Sequence, residues 1–574
     1  MTDIVPITAG RALLQVQNLT VDFALRNGAF RAVDDLSFSI EPGKTLCVVG
    51  ESGSGKSVTA RSILQILDAP GRICGGSIVL NGKDGRSVNL VSLNPRGRHI
   101  RAIRGRDIAM IFQEPMSSLS PVHTVGDQII EALRLHTRMS KAEARAEAIS
   151  LLKQVEIPFP EKAVDRYTFQ YSGGMRQRAM IAMALACKPQ LLIADEPTTA
   201  LDVTTQAEIL DLIARLQKAY GMAVLFITHD MGVVAQIADD VLVMHNGVAK
   251  EYAPVEQIFH APKDDYTRML IGSVLKLEAK AEIRLARAPL DRTAAPILEL
   301  RNVSMDFGEV KALDDVSISL LPRETLGIVG ESGSGKTTMG RSIMRLIDPT
   351  AGEILYRRAD GGMIDLATAK GQPLAAARRE LRMVFQDPFG SLNPRMTVSQ
   401  IIGEPLLVNG IARGRALDER ICHLMEQVGL DPTTRERYPH AFSGGQRQRI
   451  GIARAITLSP RIIVADEATS ALDVSVRSQV LDLLMRLQDE LGLAYIFISH
   501  DIGVIRYMCD RVGVMYKGRL VEVGDADKIC NTPEHAYTQA LISAIPRPDP
   551  RDRDRSRRFR YIEPANLKNG SSVR

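Results

Sequence analysis

The sequence predicts an α/β protein built from one duplicated domain, each copy centred on a mainly parallel sheet. Three observations carry this. A glycine-rich loop occurs twice, as Gly50-Glu51-Ser52-Gly53-Ser54-Gly55-Lys56-Ser57 and Gly330-Glu331-Ser332-Gly333-Ser334-Gly335-Lys336-Thr337. Short apolar runs end in an acid or a histidine in both halves. Equivalent residues keep a near-constant separation: Lys336 lies 280 residues after Lys56, and Gln386 lies 273 after Gln113. Asp466 and His500 each lie 271 after Asp195 and His229. That period is far too long for a solenoid repeat and marks a duplicated whole domain.

Each half opens with short runs, Leu14 to Leu19 and Leu298 to Val303. The runs Leu46 to Val49 and Leu326 to Val329 lead directly into the glycine loops. Strand, glycine-rich turn and helix is the context such a loop requires. Leu191 to Asp195 and Ile462 to Asp466 read as buried strands ending in acid, and Val224 to Ile227 and Tyr495 to Ile498 as core strands that each end near a histidine. Strands ending in functional residues and alternating with helices place the ligand at the C-terminal sheet edge.

The 574 residues suffice for two to four domains, and 45% hydrophobic with 24% charged residues is ordinary for a globular protein. A net charge of +5 is small for this length and does not call for nucleic acid. The six cysteines include no C-x-x-C pair, so zinc and iron–sulfur ligation have no support. The N-terminus lacks a basic start and an apolar run, so no secretory signal is expected. No apolar stretch reaches membrane-spanning length, so other chains must supply any spans.

The glycine loop is a phosphate cradle. Glycine lets backbone N–H groups turn inward around phosphate oxygens, the lysine reaches the outer phosphates, and the Ser57 or Thr337 hydroxyl ligates Mg²⁺. Asp195 and Asp466 can hold the same Mg²⁺ shell, and the adjacent Glu196 and Glu467 can orient and deprotonate a water. His229 and His500 can contact the γ-phosphate or position that water; each follows its Asp by 34 residues, a recurrence that sets them apart from an ordinary surface histidine. Gln113 and Gln386, each before an acid and a proline, can sense Mg²⁺ and the water. Ser172-Gly173-Gly174 and Ser443-Gly444-Gly445 precede long Arg-containing helical runs and form a second anion-binding element. Each half already has a phosphate loop, so this element is explained if it acts on nucleotide held by the other half.

With these motifs in order twice, the chain resembles two fused nucleotide-binding domains of an ABC transporter. The resemblance spans roughly residues 12–271 and 297–545, and includes the D-loops Ala200-Leu201-Asp202 and Ala471-Leu472-Asp473. It implies two tandem P-loop NTPase (ABC-type) domains, each a RecA-like, mainly parallel core with an antiparallel β subdomain and a helical subdomain. Residues 1–11 read as an extension, 272–296 as a linker and 546–574 as a charged, solvated tail. The family's adenine-stacking aromatic corresponds to Phe307 in the second half. In the first half Phe23 and Phe30 compete, with Phe23 preferred. The segments Glu114 to Pro121 and Asp387 to Pro394, and the domain ends at Tyr266-Thr267 and Tyr537-Thr538, resemble the dipeptide/oligopeptide/nickel importer group. Met175-Arg176-Gln177-Arg178 and Ala465-Asp466-Glu467-Ala468 are nearest to its glutathione-importer type. Three positions depart from the family pattern: Tyr171 and Phe442 replace Leu, Met175 replaces Gln, and Ala468 replaces Pro.

The resemblance implies ATP and Mg²⁺ as cofactors and two composite sites. One joins Lys56, Ser57, Gln113, Asp195, Glu196 and His229 to Ser443 and Gly445; the other joins Lys336, Thr337, Gln386, Asp466, Glu467 and His500 to Ser172 and Gly174. It further implies two transmembrane permease subunits, an extracytoplasmic solute-binding protein acting through them, one chain per transporter, no nucleic acid, and a place on the cytoplasmic face of the inner membrane. A soluble tandem ABC ATPase acting on ribosomes is the main rival, opposed by the importer-like segments and the short linker. A DNA-repair ATPase would carry zinc cysteines or coiled-coil insertions, and an exporter would lack the peptide-importer ending.

Overall fold

The computed structural model describes residues 12–25, 28–82, 85–113, 118–199, 201–278, 284, 290–387, 390–470, 472–553, 558–559 and 561. They divide into two compact units, one formed mainly by the chain up to Gly272 and the other mainly by Ser273–Ile545.

In the first unit, six strands form the central sheet in the order Val248–Pro254, Asp240–His245, Thr45–Val49, Ala223–Ile227, Leu191–Asp195 and Ile108–Ile111. All neighbours are parallel except the Val248–Pro254 edge. Every residue of Thr45–Val49, Leu191–Asp195 and Ala223–Ile227 is buried, as a parallel sheet covered on both faces demands. A four-stranded antiparallel sheet, Gly28–Ile40, Leu14–Leu25, Gly71–Asn81 and Ser87–Asn89, packs its apolar face into the same core. Its strands alternate buried and exposed residues, interrupted by register shifts between Val16 and Asp22. The helical part contains Val125–His136, Lys141–Gln154 and Gly173–Leu185. Ser140 starts the second of these with a reciprocal cap to Glu143.

The second unit repeats the plan. Its central sheet runs Leu381–Val384, Ile462–Asp466, Ala494–Ile498, Thr325–Val329, Arg511–Tyr516 and Arg519–Asp525, with only the last pair antiparallel. Its antiparallel sheet runs Val310–Leu320, Leu298–Phe307, Ala351–Arg357 and Met363–Asp365. Its helical part contains Val398–Val408, Arg415–Gln427 and Gly444–Ile456. The α/β class with a mainly parallel core, expected from the sequence, is therefore present twice.

Of the expected tail, the structure describes residues 546–553, 558–559 and 561. Its Arg and Asp residues pair locally, Arg547 with Asp552 and Arg551 with Asp549, both at 2.8 Å. The segment is held by other contacts: Arg553 donates to the Ala238 carbonyl at 2.6 Å, and Tyr561 packs edge-on against Tyr516 and Tyr537. Among the described residues no helix is long and apolar enough to cross a membrane, and no group of three or more His, Cys, Asp and Glu is placed to hold a metal.

Candidate functional site

Each phosphate loop sits where a buried central strand gives way to a helix. Gly50, Gly53 and Gly55 have φ of 151°, 82° and 97°, and Gly330, Gly333 and Gly335 have 149°, 79° and 103°. Only glycine adopts such values cheaply. At Gly50 a Cβ would also lie 2.1 Å from the Met244 carbonyl oxygen, and at Gly330 2.2 Å from that of Met515. Ser52 and Ser332 lie in the same turns. Lys56 Nζ donates to the Gly50 and Glu51 carbonyls at 2.7 and 2.8 Å, folding the ammonium back over its own loop. Lys336 does the same to Gly330 and Glu331, both at 2.7 Å. Burial pulls the Lys336 pKa down, partly opposed by the nearby carboxylates of Glu467 and Asp466.

The Ser57 hydroxyl donates to Asp195 Oδ1 at 2.9 Å, and Thr337 to Asp466 Oδ1 at 3.1 Å. Each pair joins a loop hydroxyl to a carboxylate at the end of a buried strand. Two hard oxygens so close, beside a phosphate cradle, suit Mg²⁺, which prefers oxygen ligands and few protein groups. Burial raises the pKa of both Asp195 and Asp466; the hydroxyl hydrogen bond opposes it and the neighbouring glutamate adds to it. A buried carboxylate that resists ionisation gains most from a cation.

Glu196 and Glu467 follow with φ of 46° and 47°, a left-handed conformation that costs energy outside glycine and turns the side chain off the strand line. Gln113 Nε2 donates to Glu196 Oε2 at 2.9 Å, and His229 Nδ1 lies 3.3 Å from Glu196 Oε1. Gln386 and His500 hold Glu467 in the same way at 2.6 and 3.4 Å. Burial pushes the Glu196 carboxyl up, but the hydrogen bond and charge of His229 and the Thr199 hydroxyl outweigh it, leaving the pKa lowered to about 2. Glu467 is lowered by His500 against the same burial. The glutamine amides are thus spent on the glutamates, not on the aspartates.

Ser172 and Ser443 are N-caps, each accepting from a backbone N–H three residues on at 3.3 Å. Gln446 returns the bond, its Oε1 accepting from Ser443 N at 3.0 Å; Met175 has no oxygen with which to do so. Gly173 and Gly444 leave the first helical turn open, while a Cβ at Gly174 would approach Thr205 to 3.0 Å and one at Gly445 would approach Val476 to 2.3 Å. Tyr171, in place of Leu, is buried and donates its hydroxyl to the Ala163 carbonyl at 2.8 Å; Phe442 is simply buried. Ala468, in place of Pro, is buried. Gln177 donates to the Pro197 carbonyl at 2.5 Å, whereas the equivalent Gln448 Nε2 is buried with no partner among the described residues.

Strand register pairs Phe23 with Phe30 and Phe307 with Val310, each beside an Asp, so Phe23 occupies the position of Phe307. Phe307 is 51% exposed, whereas Phe23 is half-buried against Gly71, where a Cβ would lie 2.7 Å from its ring. Ala200, Ala471 and the segments 114–117 and 388–389 lie outside the described residues. The sequence reading missed two contacts with the site. Thr199 donates to Glu196 Oε2 at 3.0 Å, and the tyrosines of the two Tyr-Thr pairs bond to the phosphate loops.

A cradle, a hydroxyl–carboxylate pair and a held glutamate, present twice, define an ATP-binding cassette. The ABC transporter family model matches residues 33–199 and 313–470, so the chain belongs to the ABC transporter family and is an ATPase subunit of it. The model of the oligopeptide/dipeptide transporter C-terminal region matches 250–297 and 521–571, running through both the expected linker and the expected tail. The chain is 48% identical to the glutathione import ATP-binding protein GsiA of Escherichia coli (strain K12), covering 94% of this chain and 90% of that protein. The GsiA of Pectobacterium atrosepticum is 46% identical, with 95% and 91% covered. Among solved structures, a dimeric ATP-binding cassette with ADP and Pi is 30% identical, covers 40% of this chain and 98% of that chain, and has a TM-score of 0.36.

Proposed function

We propose that this chain powers the import of a peptide-class solute, a di- or oligopeptide or a glutathione-like compound. Two transmembrane permease subunits would receive the work at the cytoplasmic face of the inner membrane, and an extracytoplasmic binding protein would deliver the solute to them. One chain would serve each transporter. The single observation that carries this reading is the 48% identity to glutathione import ATP-binding proteins over 94% of the chain. The oligopeptide/dipeptide region, matched in both halves, supports the same class.

In this reading residues 12–271 and 297–545 are the two cassettes, joined by 272–296. Phe23 and Phe307 stack on adenine. The N–H groups of Gly50 to Gly55 and Gly330 to Gly335, with Lys56 and Lys336, bind phosphate oxygens. Ser57, Asp195 and Gln113, and Thr337, Asp466 and Gln386, would hold Mg²⁺, which supplies charge neutralisation on the phosphates. Glu196 and Glu467 take the proton of the attacking water, and His229 and His500 orient each carboxylate and stand to contact the γ-phosphate or position that water. The signatures Ser172-Gly173-Gly174 and Ser443-Gly444-Gly445 offer helix N-terminal N–H groups to nucleotide phosphate.

Affinity purification of the tagged chain from detergent-solubilised native membranes tests the partners. Recovery of two multi-span proteins is the expected result. Recovery of ribosomes without any membrane protein would overturn the importer reading.

A further inference from the structure

In both halves a tyrosine from the region after the last strand reaches back to the phosphate loop. The backbone N–H of Glu331, the loop residue after Gly330, donates to Tyr537 Oη at 3.0 Å. The N–H of Glu51 donates to Tyr266 Oη at 3.3 Å. The carbonyls of the same two residues accept from Lys336 and Lys56 at 2.7 and 2.8 Å. The loop residue after the first glycine is therefore gripped at its N–H by tyrosine and at its carbonyl by the phosphate-seeking lysine.

The tyrosines are themselves rigidly placed. Tyr537 is buried, and its own N–H is capped by His535 Nδ1 at 3.1 Å. Glu522 accepts from the N–H groups of Glu534 and His535 at 2.8 and 3.1 Å. In the first half Glu251 accepts from Lys263 and Asp264, and Asp264 accepts from Tyr266 N at 2.8 Å. The rings differ in what covers them. Tyr266 stacks on His245 at 4.2 Å. Tyr537 packs on Tyr516 at 4.4 Å, and Tyr561 closes over both, edge-on at 5.6 and 5.3 Å.

We propose that Tyr266 and Tyr537 are positioning residues that set the phosphate loops, and that Tyr561 makes nucleotide affinity at the second loop depend on the C-terminal segment. The tyrosine hydroxyl fixes the residue whose carbonyl the lysine must release or keep when phosphate enters. Removing the hydroxyl leaves a loop N–H without its acceptor and frees that stretch of backbone to rotate. Removing the Tyr561 ring loosens Tyr537 but not Tyr266. Tyr561 acts through Tyr537: its ring packs against Tyr516, Tyr537 and His535, all outside the loop. The proposal rests on the two loops being ATP sites.

The test uses the full chain and a fluorescent ATP analogue in Mg²⁺-free buffer. Lys56→Ala isolates the second loop and Lys336→Ala the first. In the Lys56→Ala background, Tyr537→Phe should raise the Kd about 3- to 10-fold, as loss of one loop hydrogen bond implies. In the Lys336→Ala background, Tyr266→Phe should do the same. Tyr561→Ala should weaken the second loop alone, and Tyr561→Phe should restore it. In the otherwise unmodified chain the Tyr→Phe variants should raise KM for ATP with kcat little changed, at an unaltered unfolding temperature. Unchanged Kd in both Tyr→Phe variants overturns the positioning role. Equal weakening of both loops by Tyr561→Ala, or none, overturns the role of the C-terminal segment. Undiminished binding when both lysines are removed would instead refute the assignment of the loops themselves.

Discussion

Thr199 donates its hydroxyl to the carboxylate of Glu196 at 3.0 Å, while its counterpart Ser470 turns to the backbone carbonyl of Glu467 at 2.9 Å. The two glutamates hold the same place in their halves but carry different loads. A carboxylate with one more donor is a weaker base. We therefore expect the first site to hydrolyse ATP a few-fold more slowly than the second, and Thr199→Ala to narrow the gap. Single-turnover hydrolysis with Glu467→Gln, which leaves Glu196 alone, compared with Glu196→Gln, reads the difference. A faster first site would contradict it.

His229 and His500 each hold the glutamate through one ring nitrogen at 3.3 and 3.4 Å. Replacing either by alanine removes the ring nitrogen that orients the carboxylate. The expected loss in kcat at that site is roughly 10²-fold, within the usual range for proton-transfer catalysis, with nucleotide binding retained. Equilibrium binding of ATP alongside steady-state hydrolysis separates the two effects.

The same arrangement sets a pH dependence of stability. Glu196 has a folded-state pKa lowered from 4.5 to about 2. Its ionised form contributes stability that is fully present above pH 4.5 and is lost as the pH falls through about 2. Glu196→Gln should therefore destabilise the nucleotide-free protein more at about pH 6 than at about pH 3, as urea unfolding would measure. An effect of the same size at both values would remove the electrostatic explanation.

Asp195 and Asp466 behave in the opposite sense, because burial raises their pKa. Asn in place of Asp keeps an oxygen for the Ser57 or Thr337 hydroxyl and deletes a buried charge. Asp195→Asn and Asp466→Asn should leave the nucleotide-free fold at least as stable as the parent while abolishing Mg²⁺-dependent hydrolysis at that site. Thermal unfolding without nucleotide, set beside the ATPase rate, checks both halves of the statement.

Met175 cannot make the return bond that Gln446 makes to Ser443 N. Met175→Gln should complete the cap on Ser172 and stabilise the first signature helix by about 0.3–1.5 kcal/mol. Ser172→Ala should cost about 1 kcal/mol. Denaturant unfolding of the three chains orders them directly.

Much of this site was readable because its residues sit at fixed points along the chain. Asp195, Glu196 and His229 lie at or just beyond the ends of buried parallel strands, and Lys56 lies a set distance past its glycines. In such places the backbone decides where the side chain goes, and an apolar run followed by an acid or histidine reveals it. Contacts that join distant segments were not readable. Tyr537 meets the N–H of a residue 206 positions earlier, and Tyr266 one 215 positions earlier. The Tyr-Thr pair recurs 271 residues apart, the same spacing as Asp195 and Asp466, and that was the available signal. The Arg/Asp alternation after Pro546 reads as solvated charge, and Arg547–Asp552 and Arg551–Asp549 do pair locally, whereas the contacts of Arg553 and Tyr561 reach residues that no local pattern points to. The different roles of Thr199 and Ser470 turn on which way a hydroxyl points, since both backbones make the same turn bond, and that is below what a sequence pattern expresses.

The most direct test of the account is steady-state ATP hydrolysis by the parent, Glu196→Gln, Glu467→Gln and the double variant. Two intact sites predict that each single variant loses most activity while still binding ATP, and that the double variant loses the remainder. Full activity in either single variant would contradict the claim that both halves hydrolyse ATP.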